Sequence, residues 1–248
     1  MTGPRRLLAA LALLGVLAPA SARAEAPACG APSDLLEAPV LPSVASGVGT
    51  GRLHILAVGS ASITSPGVSG AEATWSARLR AIIDSRRPGL DIRVMVRGGR
   101  GQTAADQWAT IEAALREGRP DLVIWQAGAT EAVRGLPVDE LEDTLTEGLR
   151  RLHARGIDVV VMDLQFSRFL RANADIEPYR RALRISAAAG EAALFPRYAL
   201  MHAWADAGTV DLERTPRADR TRAVDRLNDC LAQAMADFLR SGSRAARR

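Results

Sequence analysis

Apolar residues follow two alternating patterns along most of the chain. Short runs that are wholly apolar, or that alternate with polar residues, predict buried strands, and between them apolar residues recur every three or four positions, as on one face of a helix. The predicted strands are residues 53–58, 92–96, 122–125, 157–162 and 192–195. The predicted helices include residues 75–83, 108–115, 141–152, 179–189, 198–204 and 224–239. This alternation predicts an α/β fold, a three-layer α/β/α sandwich with a mostly parallel, five-stranded sheet between two layers of helices.

Residues 1–24 have the features of a signal peptide. Arg5 and Arg6 precede an apolar run over residues 7–18, and Ala22-Arg23-Ala24 supplies the small residues of a cleavage site. The run of about twelve residues is shorter than the ~20 residues that a membrane span needs. We therefore expect cleavage near Ala24 and export to the periplasm or out of the cell, without stable membrane insertion. A retained N-terminal anchor is the alternative.

The remainder of the chain predicts one domain between two short end segments. Residues 25–50 are rich in Pro, Ala, Gly and Ser, and we expect them to form an extended lead-in. The regular strand and helix pattern occupies residues 51–240 without an internal repeat, and residues 241–248 are expected to be a basic tail. The sequence leaves the oligomeric state open.

The positive charge of the chain is concentrated at its ends. The net charge is +4, but Arg5, Arg6 and Arg23 belong to the predicted leader, which has no acidic residue, so the charge falls from +4 to +1 on cleavage. Four more arginines lie between residues 240 and 248, which leaves the folded body slightly acidic. No stripe of interleaved basic and aromatic residues is visible, and we therefore expect no nucleic-acid partner.

The chain has two cysteines, Cys29 near the start of the mature chain and Cys230 in the last predicted helix. An isolated pair in an exported protein predicts one disulfide, which would join the N-terminal segment to that helix. No group of Cys or His has the spacing of metal ligands, so we expect neither a metal nor another cofactor.

Three turns that follow successive predicted strands have unusual compositions. They are Gly59-Ser60-Ala61-Ser62-Ile63-Thr64, Arg97-Gly98-Gly99-Arg100-Gly101-Gln102-Thr103 and Gln126-Ala127-Gly128-Ala129-Thr130-Glu131. Ligands of open α/β sheets bind in the crevice outside the carboxyl ends of parallel strands. The three turns therefore predict a functional site at this edge of the sheet.

The spacing of these turns, with an acidic segment before the last helix, resembles the SGNH (GDSL-type) hydrolase family of serine esterases and lipases. The resemblance covers residues 53–239, and DLVIWQAGATEAVR, residues 121–134, is especially similar to the third block of that family. It implies a flavodoxin-like sheet and a serine nucleophile after the first strand. It also implies an oxyanion hole from a glycine and an asparagine after the second and third strands, and a D-x-x-H pair near the C-terminus.

Transferred residue by residue, that pattern is broken at three positions. The nucleophile position after the first strand holds Ala61, while the oxyanion-hole glycine is kept as Gly101. Thr130 stands where asparagine is expected, and Asp219 and Arg222 stand on the D-x-x-H pair. Alanine cannot form an acyl-enzyme, and arginine stays protonated and cannot act as a general base. The resemblance thus implies an active site that keeps an oxyanion hole but has lost the nucleophile and the general base.

Other residues offer alternatives for the missing groups. Ser60 or Ser62, on either side of Ala61, could act as the nucleophile, although turns also favour serine for local hydrogen bonding. A second register for the last block, residues 211–214, also ends in arginine, and no histidine follows His202. Of the three histidines, only His202 is expected to approach the crevice.

These observations support three hypotheses about function. The first is an exported hydrolase-like protein without esterase activity, which binds an acyl- or acetyl-bearing ligand, such as a small ester or an acylated carbohydrate, or a partner in the cell envelope. The second is an active carboxylic ester hydrolase that uses Ser60 or Ser62. The third is an envelope assembly factor without a small-molecule ligand. An open crevice favours the first two, and a filled one favours the third.

Overall fold

A computed structural model describes residues 29–246. Its sheet has five parallel strands in the order β2-β1-β3-β4-β5. The strands are β1 (Arg52–Gly59), β2 (Asp91–Gly98), β3 (Leu122–Gln126), β4 (Asp158–Met162) and β5 (Ala193–Phe195). The predicted α/β fold and all five predicted strands are confirmed.

Nine α-helices surround the sheet in the described residues. They are α1 (Pro42–Gly49), α2 (Trp75–Arg86), α3 (Ala104–Glu117), α4 (Ala129–Arg134), α5 (Val138–His153), α6 (Arg168–Asn173), α7 (Glu177–Ala189), α8 (Arg197–Asp206) and α9 (Arg220–Ala245). Helices α1, α2, α8 and α9 pack on one face of the sheet and the other five pack on the opposite face. Alternate residues of β1 serve the two cores, because successive strand side chains point to opposite faces: Ile55 lies in one and Leu56 in the other.

The packing of Trp125 explains a glycine inside helix α5. Trp125 is fully buried in β3 and stacks on Trp108 with ring centroids 5.9 Å apart. A Cβ atom at Gly148 would lie 2.6 Å from the Trp125 ring, so only glycine lets α5 approach the sheet this closely.

Two expectations about the ends of the domain are wrong. The lead-in is not extended over its whole length, because residues 42–49 form helix α1, with Pro42 at its first position, where the missing N–H of proline costs no hydrogen bond. Residues 241–245 are not a tail but the last turn of α9, in which Gly242 and Ser243 are buried. The Leu41 N–H donates to the Gly242 carbonyl at 3.2 Å, so both ends belong to the folded domain.

The predicted disulfide is confirmed, because Cys29 and Cys230 are bonded. It joins the start of the described chain to the middle of α9, and such a bond is typical of an oxidising environment outside the cytoplasm. Within residues 29–246, none of the helices has both the length and the apolar character that crossing a membrane requires. The predicted signal peptide, residues 1–24, lies outside the described residues.

Helix α1 is attached to the sheet by a carboxyl group with a shifted pKa. The Val44 N–H donates to Asp158 Oδ2 at 2.8 Å. Burial, with a smaller effect of the neighbouring Asp121 carboxylate, raises the pKa of Asp158 from 3.8 to about 6. The folded state therefore favours the protonated carboxyl, and this contribution to stability is present at low pH and is lost as the pH rises through about 6.

We expect Asp158→Asn to become more stable relative to the wild-type protein as the pH rises. The amide oxygen keeps the bond from Val44 and carries no charge, so the difference in the free energy of unfolding should grow by about 1 kcal/mol between about pH 4 and pH 7.5, allowing for partial exposure of the carboxyl. Urea unfolding of both proteins at the two pH values measures it. A difference that does not change with pH would contradict the assignment.

Candidate functional site

The strands β1 and β2 end together at paired glycines, Gly59 and Gly98. Gly98 has a φ of +133°, and a Cβ atom there would lie 2.0 Å from the Gly59 carbonyl oxygen. Gly59 is also paired with Gln126, and its own Cβ would lie 2.9 Å from the Cβ of that side chain. The carboxyl ends of β1, β2 and β3 are thus packed tightly, and the turn after each strand begins at the same edge of the sheet.

A cavity of about 270 Å³ opens beside this edge, between the carboxyl ends of the strands and helices α8 and α9. Its wall is mainly apolar and includes Trp75, Met162, Phe166, Met201, Leu227 and Leu231. Polar side chains of the wall include Ser62, Gln126, Arg197 and Asn228 and, toward the more exposed rim, Arg168, Asp211 and Glu213. A mostly apolar pocket with a few convergent polar groups is the usual form of a small-molecule site.

Of the three successive residues of the nucleophile turn, Ser62 lines the cavity. Its Oγ accepts hydrogen bonds from Gln126 Nε2 at 2.8 Å and from Arg197 Nη1 at 3.2 Å. Ser60 is buried and Ala61 is half-buried, and neither belongs to the cavity wall. Of these three residues, Ser62 is therefore the one whose side chain lines the cavity, and its oxygen accepts from two hydrogen-bond donors.

Arg197, the first residue of α8, is only 5% exposed. Burial lowers the pKa of its guanidinium to about 10, an effect partly opposed by the negative charge of Asp163. The Asp163 carboxylate is bound by Arg180 Nη2 at 2.9 Å and by the Leu164 N–H at 2.8 Å. At neutral pH Arg197 is a buried cation whose nearest carboxylate is already paired.

The two predicted oxyanion-hole residues, Gly101 and Thr130, lie outside the cavity wall, in turns that contact each other. Gly101 has a φ of +80°, and the Arg134 guanidinium lies 2.8 Å from where a Cβ atom would be. Thr130 is buried in the first turn of α4. The neighbouring Glu131 carboxylate accepts from the Ala104 N–H, which ties the second turn to the third. The structure therefore brings these turns together, with an arginine side chain over the glycine.

The residues on the D-x-x-H positions lie away from the cavity. Arg222 is 82% exposed on its side chain and binds Asp219 Oδ1 at 2.7 Å, the pairing that their spacing predicts for a helix. In the second register, Asp211 lines the cavity and accepts from Arg168 Nη1 at 2.9 Å. The Arg214 side chain of that register is 75% exposed, with its Nε 3.9 Å from Asp211 Oδ2.

No histidine belongs to the cavity wall within the described part of the chain. His202 is exposed on α8, 3.5 Å from Asp206 Oδ2, and packs on the outside of Phe166 with ring centroids 4.6 Å apart. His54 lies at the opposite edge of the sheet, where its backbone N–H donates to Asp121, and His153 is exposed at the end of α5. Residues 29–246 contain no cluster of three or more His, Cys, Asp or Glu that could hold a metal ion.

Sequence reasoning missed Arg197 and Asn228. Arg197 follows a proline and starts an otherwise apolar helix, a pattern that predicts an exposed charge, and Asn228 lies within a regular helical repeat. Gln126 belongs to the turn after the third predicted strand, but nothing in the local sequence indicates that it contacts Ser62. Their positions in the sequence could have indicated them: Gln126 and Arg197 follow the ends of predicted strands, and Asn228 lies in the last predicted helix.

Several solved structures have a fold similar to that of this chain. TesA is 23% identical, with a TM-score of 0.54 over 73% of this chain and 99% of its own. Axe2, an acetylxylan esterase from Geobacillus stearothermophilus, is 18% identical, with a TM-score of 0.58 over 75% of this chain and 94% of its own. AlinE4, an SGNH-hydrolase family esterase, is 24% identical, with a TM-score of 0.52 over 62% of this chain and 80% of its own. At these identities the likeness shows the fold, and the predicted SGNH hydrolase fold is confirmed.

A search of curated proteins finds no significant match. A family model matches residues 28–245, which is most of the chain. The chain belongs to the Non-GDSL lipase-like family.

Proposed function

We propose that this protein is an exported member of the SGNH hydrolase fold that does not hydrolyse esters and that binds an acyl- or acetyl-bearing ligand in the cavity at the strand ends. One observation carries the proposal. Ser62, the residue of the nucleophile turn that lines the cavity, is bound by an amide and a guanidinium, and no histidine belongs to the described cavity wall.

The hydrogen bonds of Ser62 argue against nucleophilic catalysis. A serine hydroxyl becomes nucleophilic when a neighbouring base removes its proton. Gln126 Nε2 and Arg197 Nη1 are donors, and a guanidinium stays protonated at neutral pH even with its pKa lowered to about 10. Both neighbours hold the serine oxygen without accepting its proton.

Three further observations support the remaining parts of the proposal. The cavity is open, which favours a small ligand over an assembly role that needs none. The Cys29–Cys230 disulfide is typical of exported proteins. The acetylxylan esterase among the similar structures makes an acetylated carbohydrate one candidate ligand class, with small esters as another.

The second candidate is a carboxylic ester hydrolase that uses Ser62. The guanidinium 3.2 Å from Ser62 Oγ favours this serine over Ser60, because a cation stabilises an alkoxide. The rim carboxylates of Asp211 and Glu213 would have to supply the base. Both already accept hydrogen bonds, Asp211 from Arg168 and Glu213 from Ser167 Oγ at 2.6 Å.

Hydrolysis of p-nitrophenyl acetate and p-nitrophenyl butyrate by the purified mature protein tests the proposal. We expect rates no higher than those of Ser62→Ala, and no covalent adduct after incubation with a fluorophosphonate, which labels activated serines. Ser60→Ala serves as the matched control, because Ser60 lies in the same turn but outside the cavity wall. Turnover or labelling that Ser62→Ala abolishes and Ser60→Ala preserves would replace the proposal with the hydrolase.

A further inference from the structure

Two buried polar side chains of the cavity have donor groups without a partner. Arg197 Nε and Asn228 Nδ2 are buried, and neither makes a hydrogen bond to any residue in the described range 29–246. Arg197 and Asn228 are both 5% exposed and both line the cavity. Buried polar groups without a partner are costly, and Gln126 Oε1 on the same wall is an acceptor that likewise has no partner within residues 29–246. The folded chain therefore leaves two donors and one acceptor unsatisfied around this cavity.

The charged side chains around the cavity form two groups. Arg168, Asp211 and Glu213, which form the rim, are paired with one another, whereas Arg197, which forms the floor, contacts the neutral Ser62 Oγ. At the rim, Arg168 Nη1 lies 2.9 Å from Asp211 Oδ2 and 3.8 Å from Glu213 Oε2. Glu213 also accepts from the Ser167 hydroxyl and the Arg168 N–H, and these bonds lower its pKa against the effect of burial. The rim carboxylates are therefore held in place by local donors.

The charged side chain at the floor of the cavity is Arg197, and it makes no ion pair with a carboxylate in the described residues. Asp163, whose negative charge acts on Arg197, is bound by Arg180 and the Leu164 N–H, and Arg180 also pairs with Glu177 at 2.8 Å. The nearest oxygen to the Arg197 guanidinium among its hydrogen-bond partners is the neutral Ser62 Oγ. A buried cation that contacts no carboxylate is unfavourable, and a bound monoanion would neutralise it.

The rest of the cavity is suited to an apolar group. Met162, Phe166, Met201, Leu227 and Leu231 form a continuous wall above the floor. At about 30 Å³ for each water-sized group, a cavity of 270 Å³ has room for about nine non-hydrogen atoms. The combination favours a small molecule with one anionic end and one apolar end.

We propose that this cavity binds a small apolar carboxylic acid as its carboxylate anion, with the carboxylate on Arg197 and Ser62 and the apolar part against the wall formed by α9, α8 and Phe166. A planar guanidinium matches a carboxylate in charge and geometry, and the Asn228 amide and the Ser62 hydroxyl are further donors beside it. The inference rests on the proposed function in placing the ligand in this cavity. It changes the ligand class from an ester to the free acid.

The test compares sodium hexanoate with hexanamide, which has a similar shape and no charge. Binding of each to the full mature protein is measured by isothermal titration calorimetry at about pH 7.5 and constant ionic strength. We expect hexanoate to bind at least tenfold more tightly than hexanamide, because only the anion neutralises Arg197. Equal binding of the two, or no binding of either, would overturn the proposal without any variant being needed.

Two variants locate the binding site. Arg197→Met keeps most of the side-chain volume, and we expect it to abolish the preference for hexanoate over hexanamide. Arg150→Met removes an exposed arginine of α5, on the face of the sheet opposite the cavity, and we expect it to keep the wild-type preference. If Arg197→Met does not fold, Ser62→Ala should weaken hexanoate binding at least threefold and leave hexanamide binding unchanged. A preference that survives in Arg197→Met or, where that variant does not fold, in Ser62→Ala would overturn the assignment.

The result is independent of the esterase assay. If the protein hydrolyses p-nitrophenyl butyrate and also binds hexanoate through Arg197, the carboxylate site stands as a product site and the proposed loss of activity fails. If the protein is inactive and shows no preference for hexanoate, the proposed function survives and the carboxylate site fails.

Discussion

Reduction of the Cys29–Cys230 disulfide is expected to lower the free energy of unfolding by about 5 kcal/mol. The bond closes a loop with a sequence separation of 201, and the chain-entropy model gives about 5 kcal/mol for a loop of this length. Hydrogen bonds to the helices also hold this N-terminal segment. The Trp204 Nε1–H donates to the Gly30 carbonyl at 2.9 Å, and Leu41 N–H donates to Gly242.

Urea unfolding of the wild-type protein with and without a reductant measures this effect, because the cysteine side chains stay in place. Cys29→Ala/Cys230→Ala is the matched control and should unfold at the same urea concentration in both conditions. An unfolding midpoint of the wild-type protein that does not respond to the reductant would show that the cross-link contributes nothing.

Gly98→Ala is expected to destabilise the protein by about 4 kcal/mol, the second largest effect. The new methyl group would lie 2.0 Å from the Gly59 carbonyl oxygen, and the φ of +133° is one that alanine rarely adopts. To relieve this steric clash, the end of the edge strand β2 has to move away from β1, which would also displace the turn that contains Gly101.

Gly99→Ala provides the control for this substitution in the same turn. No atom lies within 4 Å of the position that its Cβ would take, and the Gly99 N–H would keep its 3.3 Å bond to the Gly59 carbonyl. We expect its free energy of unfolding to stay within about 0.5 kcal/mol of the wild-type value. Equal stability of the two variants would contradict the close approach of the strand ends.

The sequence by itself determined the layers of the fold. Each strand was visible because its side chains alternate between two buried faces or are apolar throughout, and each long helix because its apolar residues repeat along one stripe, as in Leu141, Leu145 and Leu149. The disulfide followed from an isolated pair of cysteines. The two expectations that failed concern α1 and the end of α9. Both segments depend on contacts with each other rather than on a strong local pattern.

The sequence also indicated the edge of the sheet that carries the candidate site, because composition changes abruptly where the strands end. It did not indicate which residues of the turns face the cavity. A one-residue shift after a strand turns a side chain to another direction, and the local sequence does not distinguish Ala61 from Ser62 in this respect. The assignments of Ala61, Gly101, Thr130, Asp219 and Arg222 to family positions remain predictions.

Only the tertiary structure decided the chemistry of the cavity. Ser62, Gln126 and Arg197 come from three separate parts of the chain, and their contact depends on how β1, β3 and α8 pack. Nothing in the sequence around Arg197 indicates burial, because an arginine at the start of a helix is ordinarily solvated. Local periodicity records which face of an element is apolar. The contacts between charged side chains of different elements depend on how those elements pack in the fold. The residues next to a charged side chain in the sequence do not indicate these contacts.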